Sequence, residues 1–247
     1  MHGFNKYIFL ENLHYFILLA LFAEIAGTVG GFGSSLFFVP IASYFLDFHS
    51  VLGITALFHV SSNVSKIVLF RKGFNKHLLI YIGVPAIIFV LIGAWLSKYV
   101  ETKLLETILA FFLIIISVVL LILKNFKIKP NVFNTVGGGV LSGFLAGLLG
   151  TGGAVRGVVL AAFNLKIEAF IATSAIIDLL IDSSRSIVYY MNGFVHEHDL
   201  YLVPILFIIS IIGTYIGKRI LRHVSEEKFK LLVLSLILVT GVITLLK

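Results

Sequence analysis

Gly147-Leu148-Leu149-Gly150-Thr151-Gly152-Gly153-Ala154-Val155-Arg156 interrupts a long apolar run with glycine, a hydroxyl and one arginine. A counterpart lies 120 positions earlier, at Gly27-Thr28-Val29-Gly30-Gly31-Phe32-Gly33-Ser34-Ser35, with Gly27/Gly147, Gly30/Gly150 and Gly33/Gly153 in register. Glycine adopts positive φ and admits close backbone approach at little steric cost, so such a cluster inside hydrocarbon-like sequence marks a broken helix. A break leaves N–H and C=O groups unpaired. A bilayer tolerates them only where protein or a watery cavity covers them.

Working outward, the 247 residues are 59% hydrophobic and 13% charged, against roughly 25% charged for an ordinary soluble domain. This is the composition of an integral membrane protein, and with no Pro/Ser-rich linker it reads as one membrane domain over 1–247. The formal charge of +7 does not point to nucleic acid, because the basic residues sit in short loops between apolar segments, where topology signals belong. The absence of cysteine excludes disulfides and thiol chemistry. Residues 1–23 weakly resemble a signal peptide, but Val132 to Gly147 is their counterpart in the second half, so they are read as mature structure.

Apolar runs fall near residues 13–30, 34–46, 51–70, 78–97 and 104–123, and again near 132–150, 154–165, 168–190, 200–217 and 229–246. Further matches support a repeat: Tyr81 with Tyr201, Gly73-Phe74 with Gly193-Phe194, and Gly93-Ala94-Trp95 with Gly213-Thr214-Tyr215. If each segment returns the chain across the bilayer, Arg71, Lys72, Lys76, Lys124, Lys127, Lys129, Lys166, Lys218, Arg219, Arg222, Lys228 and Lys230 share one side. The opposite loops, around Asp47/His49, Lys98–Lys103 and Met191–Asp199, are poor in base. The positive-inside rule makes the rich side cytoplasmic, inverts one repeat relative to the other, and puts both termini outside. The second segment of each unit has about 12 residues and reaches only about 18 Å, short of a core about 30 Å thick. The expected fold is therefore all-α: a polytopic cell-membrane protein of two inverted five-segment repeats, about 1–125 and 126–247. Each repeat carries a broken or re-entrant glycine-turn hairpin, giving eight to ten membrane segments.

Two short helices starting near Ser34/Ser35 and Ala154 would aim unpaired N–H donors and partial positive charge at the midplane, which favours an anion. Arg156 adds a full charge. The bland alternative is that the glycines serve tight helix packing. The third segments carry matched polar stripes: Thr55, His59, Asn63 and Lys66, then Ser174, Asp178, Asp182 and Arg185, each spaced 4, 4 and 3 so as to share a helical face. Ionisable groups in a membrane usually face a bundle interior or cavity, so the stripes read as a polar path, with structural ion pairing as the alternative. Lys66 and Arg185, near segment ends, could equally snorkel to the interface. Glu24 has no copy-two equivalent, Phe144 standing there, and is either an asymmetric element or a partner for a base.

The expected solute site is thus Gly30, Gly31, Gly33, Ser34, Ser35, Gly150, Thr151, Gly152 and Gly153, with Arg156 and the hydroxyls of Thr55, Thr173 and Ser174. His59, Asn63, Asp178, Asp182 and Arg185 form the coupling path. No metal site is assigned to His196-Glu197-His198-Asp199, since the alternate histidines lack a third ligand at recognisable spacing. Gly150–Val155 lacks the last glycine and the βαβ context of a dinucleotide fingerprint, and no Gly-Lys-Ser/Thr loop occurs, so no cofactor is expected. An enzyme is disfavoured because no nucleophile, base and orienting acid assemble.

Gly27-Thr28-Val29-Gly30-Gly31-Phe32-Gly33 followed by Val39-Pro40-Ile41, the Thr55 region, and Gly150 to Gly153 followed by Thr173-Ser174 together resemble the TauE/SafE family of sulfite exporters. Arg156 departs from that pattern by entering a normally apolar helix. The resemblance implies a secondary transporter of the cytoplasmic membrane that exports sulfite, an organosulfonate or a similar small anion. Alternating access, proton coupling and a homo-oligomer are compatible with it. A transporter of a cation or neutral metabolite, with Asp178 and Asp182 as ligands, or a non-catalytic membrane assembly protein, are the alternatives.

Overall fold

The computed structural model describes residues 2–31, 33–70, 73–122, 128–221, 223 and 226–246, the side chains of 2–11, 226–230, 232 and 233 excepted. Phe32, Arg71, Lys72, Lys124, Lys127 and Arg222 of the sequence reading lie outside the described residues, as do the side chains of Lys228 and Lys230.

Among the described residues the chain is all-α, with ten helices. The first five are α1 (His2–Gly30), α2 (Ser35–Ala42), α3 (Phe48–Leu69), α4 (Lys76–Tyr99, with a π-turn at Leu79–Gly83) and α5 (Thr102–Ile122). The second five are α6 (Val132–Leu149), α7 (Gly153–Ala161), α8 (Ile167–Met191), α9 (Leu202–Ile220) and α10 (Glu226–Leu246). Among the described residues six segments are long and apolar enough to cross a membrane: Asn12–Gly30 of α1, and α3, α4, α5, α6 and α9. Helix α8, with 25 residues, is also long enough, but it carries Glu168, Asp178, Asp182 and Arg185.

The short helices are shorter than the spacing predicts, 8 residues in α2 and 9 in α7, or roughly 12–14 Å at about 1.5 Å per residue. Each is stopped by a turn the apolar pattern hides. After α2 the Ser43 hydroxyl donates to the Pro40 carbonyl, and after α7 Asn164 takes a left-handed φ of 49°. Nearly all of α2 is buried, and α7 is mostly so. Protein thus covers backbone that lipid could not satisfy.

Helices α3 and α8 pack together at the centre. Around them α1 packs on α9 and α4 on α6, while α9 also meets α3 and α4 meets α8; α5 and α10 pair on one flank. The α4–α6 contact is backbone to backbone. A Cβ added at Gly139, Gly143 or Gly147 would come within 2.5, 2.2 and 2.2 Å of the carbonyls of Ile82, Ala86 and Val90. These glycines are spaced by four and line one face, the small-residue packing that membranes favour because apolar burial cannot drive helices together there. For Gly147 the packing reading, not the break reading, is the observed one.

Loop contacts divide between the two ends. At one, Lys218 donates to the Leu69 carbonyl and sits over the Phe70 ring, and the Asn75 amide donates to Thr173 Oγ1 at 3.0 Å. At the other, Ser50 meets His196, His49 stacks on Phe194, and the Asn192 side chain donates to the Ala94 carbonyl.

Candidate functional site

The two glycine breaks meet in the interior. Helix α1 ends at Gly30, and Gly31 and Gly33 follow with φ of 71° and 86° before α2 begins. Helix α6 ends at Leu149, and Gly150, with a φ of 77°, reverses the chain before α7. The tips touch through Ser35 Oγ and Thr151 Oγ1, 3.1 Å apart. Neither short helix has a side-chain N-cap, so the donors of their first turns are not taken up by a capping oxygen. Ser34, the N-cap residue of α2, turns its hydroxyl to Glu24 and His59 instead.

Behind these tips lies a polar interior built on the facing stripes of α3 and α8. Asn63 donates to Asp182 Oδ2 at 2.7 Å, and His59 Nδ1 lies 3.9 Å from the same oxygen. Arg185 binds Asp182 Oδ1 at 2.8 Å and sends a second nitrogen to the Ala146 carbonyl, where Tyr189 also donates. Arg185 therefore does not snorkel. It is buried, and with Tyr189, which also donates to the Gly147 carbonyl at 2.6 Å, it satisfies carbonyls left open at the C-terminus of α6. Arg156, 1% exposed, reaches Asp178 at 2.5 Å and donates to Ser174 Oγ at 3.1 Å.

Glu24 is the group the sequence reading left out of the site. It is fully buried, 2.9 Å from Lys66 Nζ, and accepts from the hydroxyls of Thr28, Ser34, Ser62 and Thr214. Lys66 is buried too and donates to Ser62 as well as pairing with Glu24, so snorkelling does not describe it. The available signal was a lone carboxylate three to four residues before the first glycine cluster, on the same helical face as Thr28.

A cavity of about 20 Å³ opens beside the first break, lined by Gly27, Thr28, Gly31, Gly33, Lys66, Ile171, Ser174, Ala175 and Asp178. Of the residues the sequence singled out for the solute, it joins Gly31, Gly33 and Ser174, with Asp178 from the coupling path and Lys66 from the stripe. Gly150, Thr151, Gly152, Gly153 and Arg156 do not line it. Gly150 packs against Leu52 and Val39, and a Cβ at Gly152 would strike the Ser142 carbonyl, so that break is filled by protein. Thr173 is engaged with the Asn75 amide, and Thr55 Oγ1, fully buried, has no hydrogen-bond partner among the described residues; neither lines the cavity.

The site thus sets three acids, buried Glu24 and Asp182 and half-buried Asp178, against three buried bases, Lys66, Arg156 and Arg185. Desolvating such pairs is costly unless remaining lone pairs are also bonded, as the hydroxyls around Glu24 do. What the arrangement offers a solute is a polar nook in an apolar protein, with donors from hydroxyls, an ammonium and helix-start amides.

The model of the sulfite exporter TauE/SafE family matches residues 16–244. A probable membrane transporter protein of Methanocaldococcus jannaschii is 24% identical, over 98% of this chain and 98% of its own. No solved structure matches the chain.

Proposed function

As this chain belongs to the sulfite exporter TauE/SafE family of membrane transporters, we propose that it exports a small oxyanion, of sulfite or organosulfonate type, by alternating access across the cytoplasmic membrane. The observation that carries the reading is the cavity where the first glycine break meets Lys66, Thr28, Ser174 and Asp178. An oxyanion there would take an ion pair from Lys66, close to the start of α2, with the Ser174 hydroxyl beside it. At about 20 Å³ the space suits a single water. The structure is then a constricted form, and solute entry requires α8 to part from the α1–α2 break.

Asp178 is the acid that faces the cavity while holding Arg156. An entering oxyanion would compete with it for Arg156, and a proton passed among Asp178, Asp182 and His59 would couple the exchange. The two-repeat reading is supported by reciprocal packing. Moving five helices along the chain turns the α1–α9 contact into α6–α4, and α3–α9 into α8–α4. A cation carrier using Asp178 and Asp182 as ligands has less support, because each carboxylate is already matched by an arginine.

Sulfite flux into liposomes tests the proposal. Arg156→Ala and Lys66→Met should each lower it by about 10–100-fold, the equivalent of one charge-assisted hydrogen bond of about 1.5–3 kcal/mol. Undiminished flux in both variants would remove these cations from the mechanism.

A further inference from the structure

The base-poor end of the molecule carries a second cluster, remote from the glycine breaks. The connection from α8 to α9 makes a 3₁₀ turn at Glu197–Asp199, and that turn gathers His196, His198 and Asp199 so that one ligand atom from each lies within 4.8 Å of the others. The spacing of the histidines alone supplies no third ligand. The turn supplies it, by bringing the Asp199 carboxylate to nitrogens of the two stacked rings. His196 Nδ1 is 3.7 Å from Asp199 Oδ2, and His198 Nε2 is 3.5 Å from Asp199 Oδ1. Ligand atoms each about 2.0–2.2 Å from a tetrahedral ion stand about 3.4 Å apart, so the two histidine–aspartate separations nearly fit, and the set as a whole, within 4.8 Å, closes further on binding.

An independent observation points to a missing partner. Asp199 is 4% exposed, yet its Oδ2 has no hydrogen-bond partner among the described residues. A buried carboxylate oxygen left unsatisfied is costly, and a chain normally avoids it. From these residues we infer that His196, His198 and Asp199 form a binding site for a divalent first-row transition metal ion, of which zinc is the convenient probe. Two imidazoles and one carboxylate suit such an ion and leave a coordination position for water, whereas magnesium prefers an all-oxygen shell. The Ser50 hydroxyl gives its one proton to Asp47 Oδ2 at 2.6 Å, so in the bond with His196 Nδ1, 2.7 Å away, the imidazole is the donor and loses that proton to a metal. On metal binding Ser50 releases the imidazole and keeps the carboxylate. The bound ion fixes the α8–α9 corner beside the start of α3. This inference does not depend on which solute is carried.

Calorimetric titration of the purified full chain in detergent with Zn²⁺, and separately with Mg²⁺, tests it. The expected result is one zinc per chain, no magnesium binding at the same concentrations, and a melting temperature raised by zinc and restored by EDTA. His198→Ala removes a ligand that is 65% exposed, so its melting temperature in EDTA should match the parent. Its zinc affinity should fall by more than about tenfold, the lower range of the loss seen even for outer-shell partners. Asp199→Asn should lose binding likewise; if that variant does not fold, His198→Ala still decides the matter. A parent that takes up no zinc, or a His198→Ala variant that binds it as tightly as the parent, overturns the assignment.

Discussion

A carboxylate in an apolar interior needs donors around its lone pairs, and Glu24 has five: Lys66 and the hydroxyls of Thr28, Ser34, Ser62 and Thr214. Removing one member of a buried ion pair strands the other, at a typical cost of about 3–5 kcal/mol, whereas replacing both with apolar groups of similar volume is often neutral or better. Glu24→Ala should therefore lower the unfolding free energy of the detergent-solubilised protein by that amount. The double variant Glu24→Leu with Lys66→Met should recover most of the loss while remaining defective in transport. Equal stability of the single variant and the parent would mean that Lys66 finds another partner. The sequence shows the buried charge but not this network, because Thr214 lies 190 positions away and only the packing of α9 on α1 brings it near. The same limit applies to Lys66. Its place in the polar stripe is legible from spacing, but its inward direction depends on the carboxylate across from it.

Helices are more legible than contacts. The glycine clusters mark where α1 and α6 end, and the 4, 4, 3 spacing identifies the faces of α3 and α8 that meet, because both follow from the local period of the chain. What the pattern leaves open is what each glycine is for. Gly31, Gly33 and Gly150 take left-handed backbone, while Gly139, Gly143 and Gly147 remain helical and let α6 touch the backbone of α4. A side chain at Gly143 would meet the Ala86 carbonyl, Cα and carbonyl carbon, none of which can swing aside. Gly143→Val should thus destabilise the protein by at least the 1–3 kcal/mol typical of overpacking. Gly137, on the same helix, has open space around its missing Cβ, and Gly137→Ala should leave stability unchanged or slightly raised, since alanine is the better helix former. Thermal unfolding of the two variants side by side separates the roles; similar losses in both would mean that α6 is sensitive throughout rather than at the α4 contact.

At the scale of the whole molecule, the chain is held in one closed arrangement by contacts at three levels: the loops at each end, the α3–α8 stripe, and the touching tips of the two short helices. The last joins the two glycine breaks directly, through the hydroxyls of Ser35 and Thr151. If transport proceeds by the halves rocking against each other, these tips must separate and rejoin in every cycle. The chain contains no cysteine, so Ser35→Cys with Thr151→Cys introduces a single pair whose side-chain atoms replace hydroxyls 3.1 Å apart, close enough for a disulfide after small adjustment. Oxidation should trap the closed form and stop sulfite flux in liposomes, and a reductant should restore it, with neither single variant responding to oxidant. Continued flux through the fully cross-linked protein would require a cycle in which the tips stay together, with α8 alone opening the cavity against the first break. That outcome would shift the moving part from the paired halves to one helix, while leaving Lys66 and Asp178 in the cavity wall where the solute is proposed to sit.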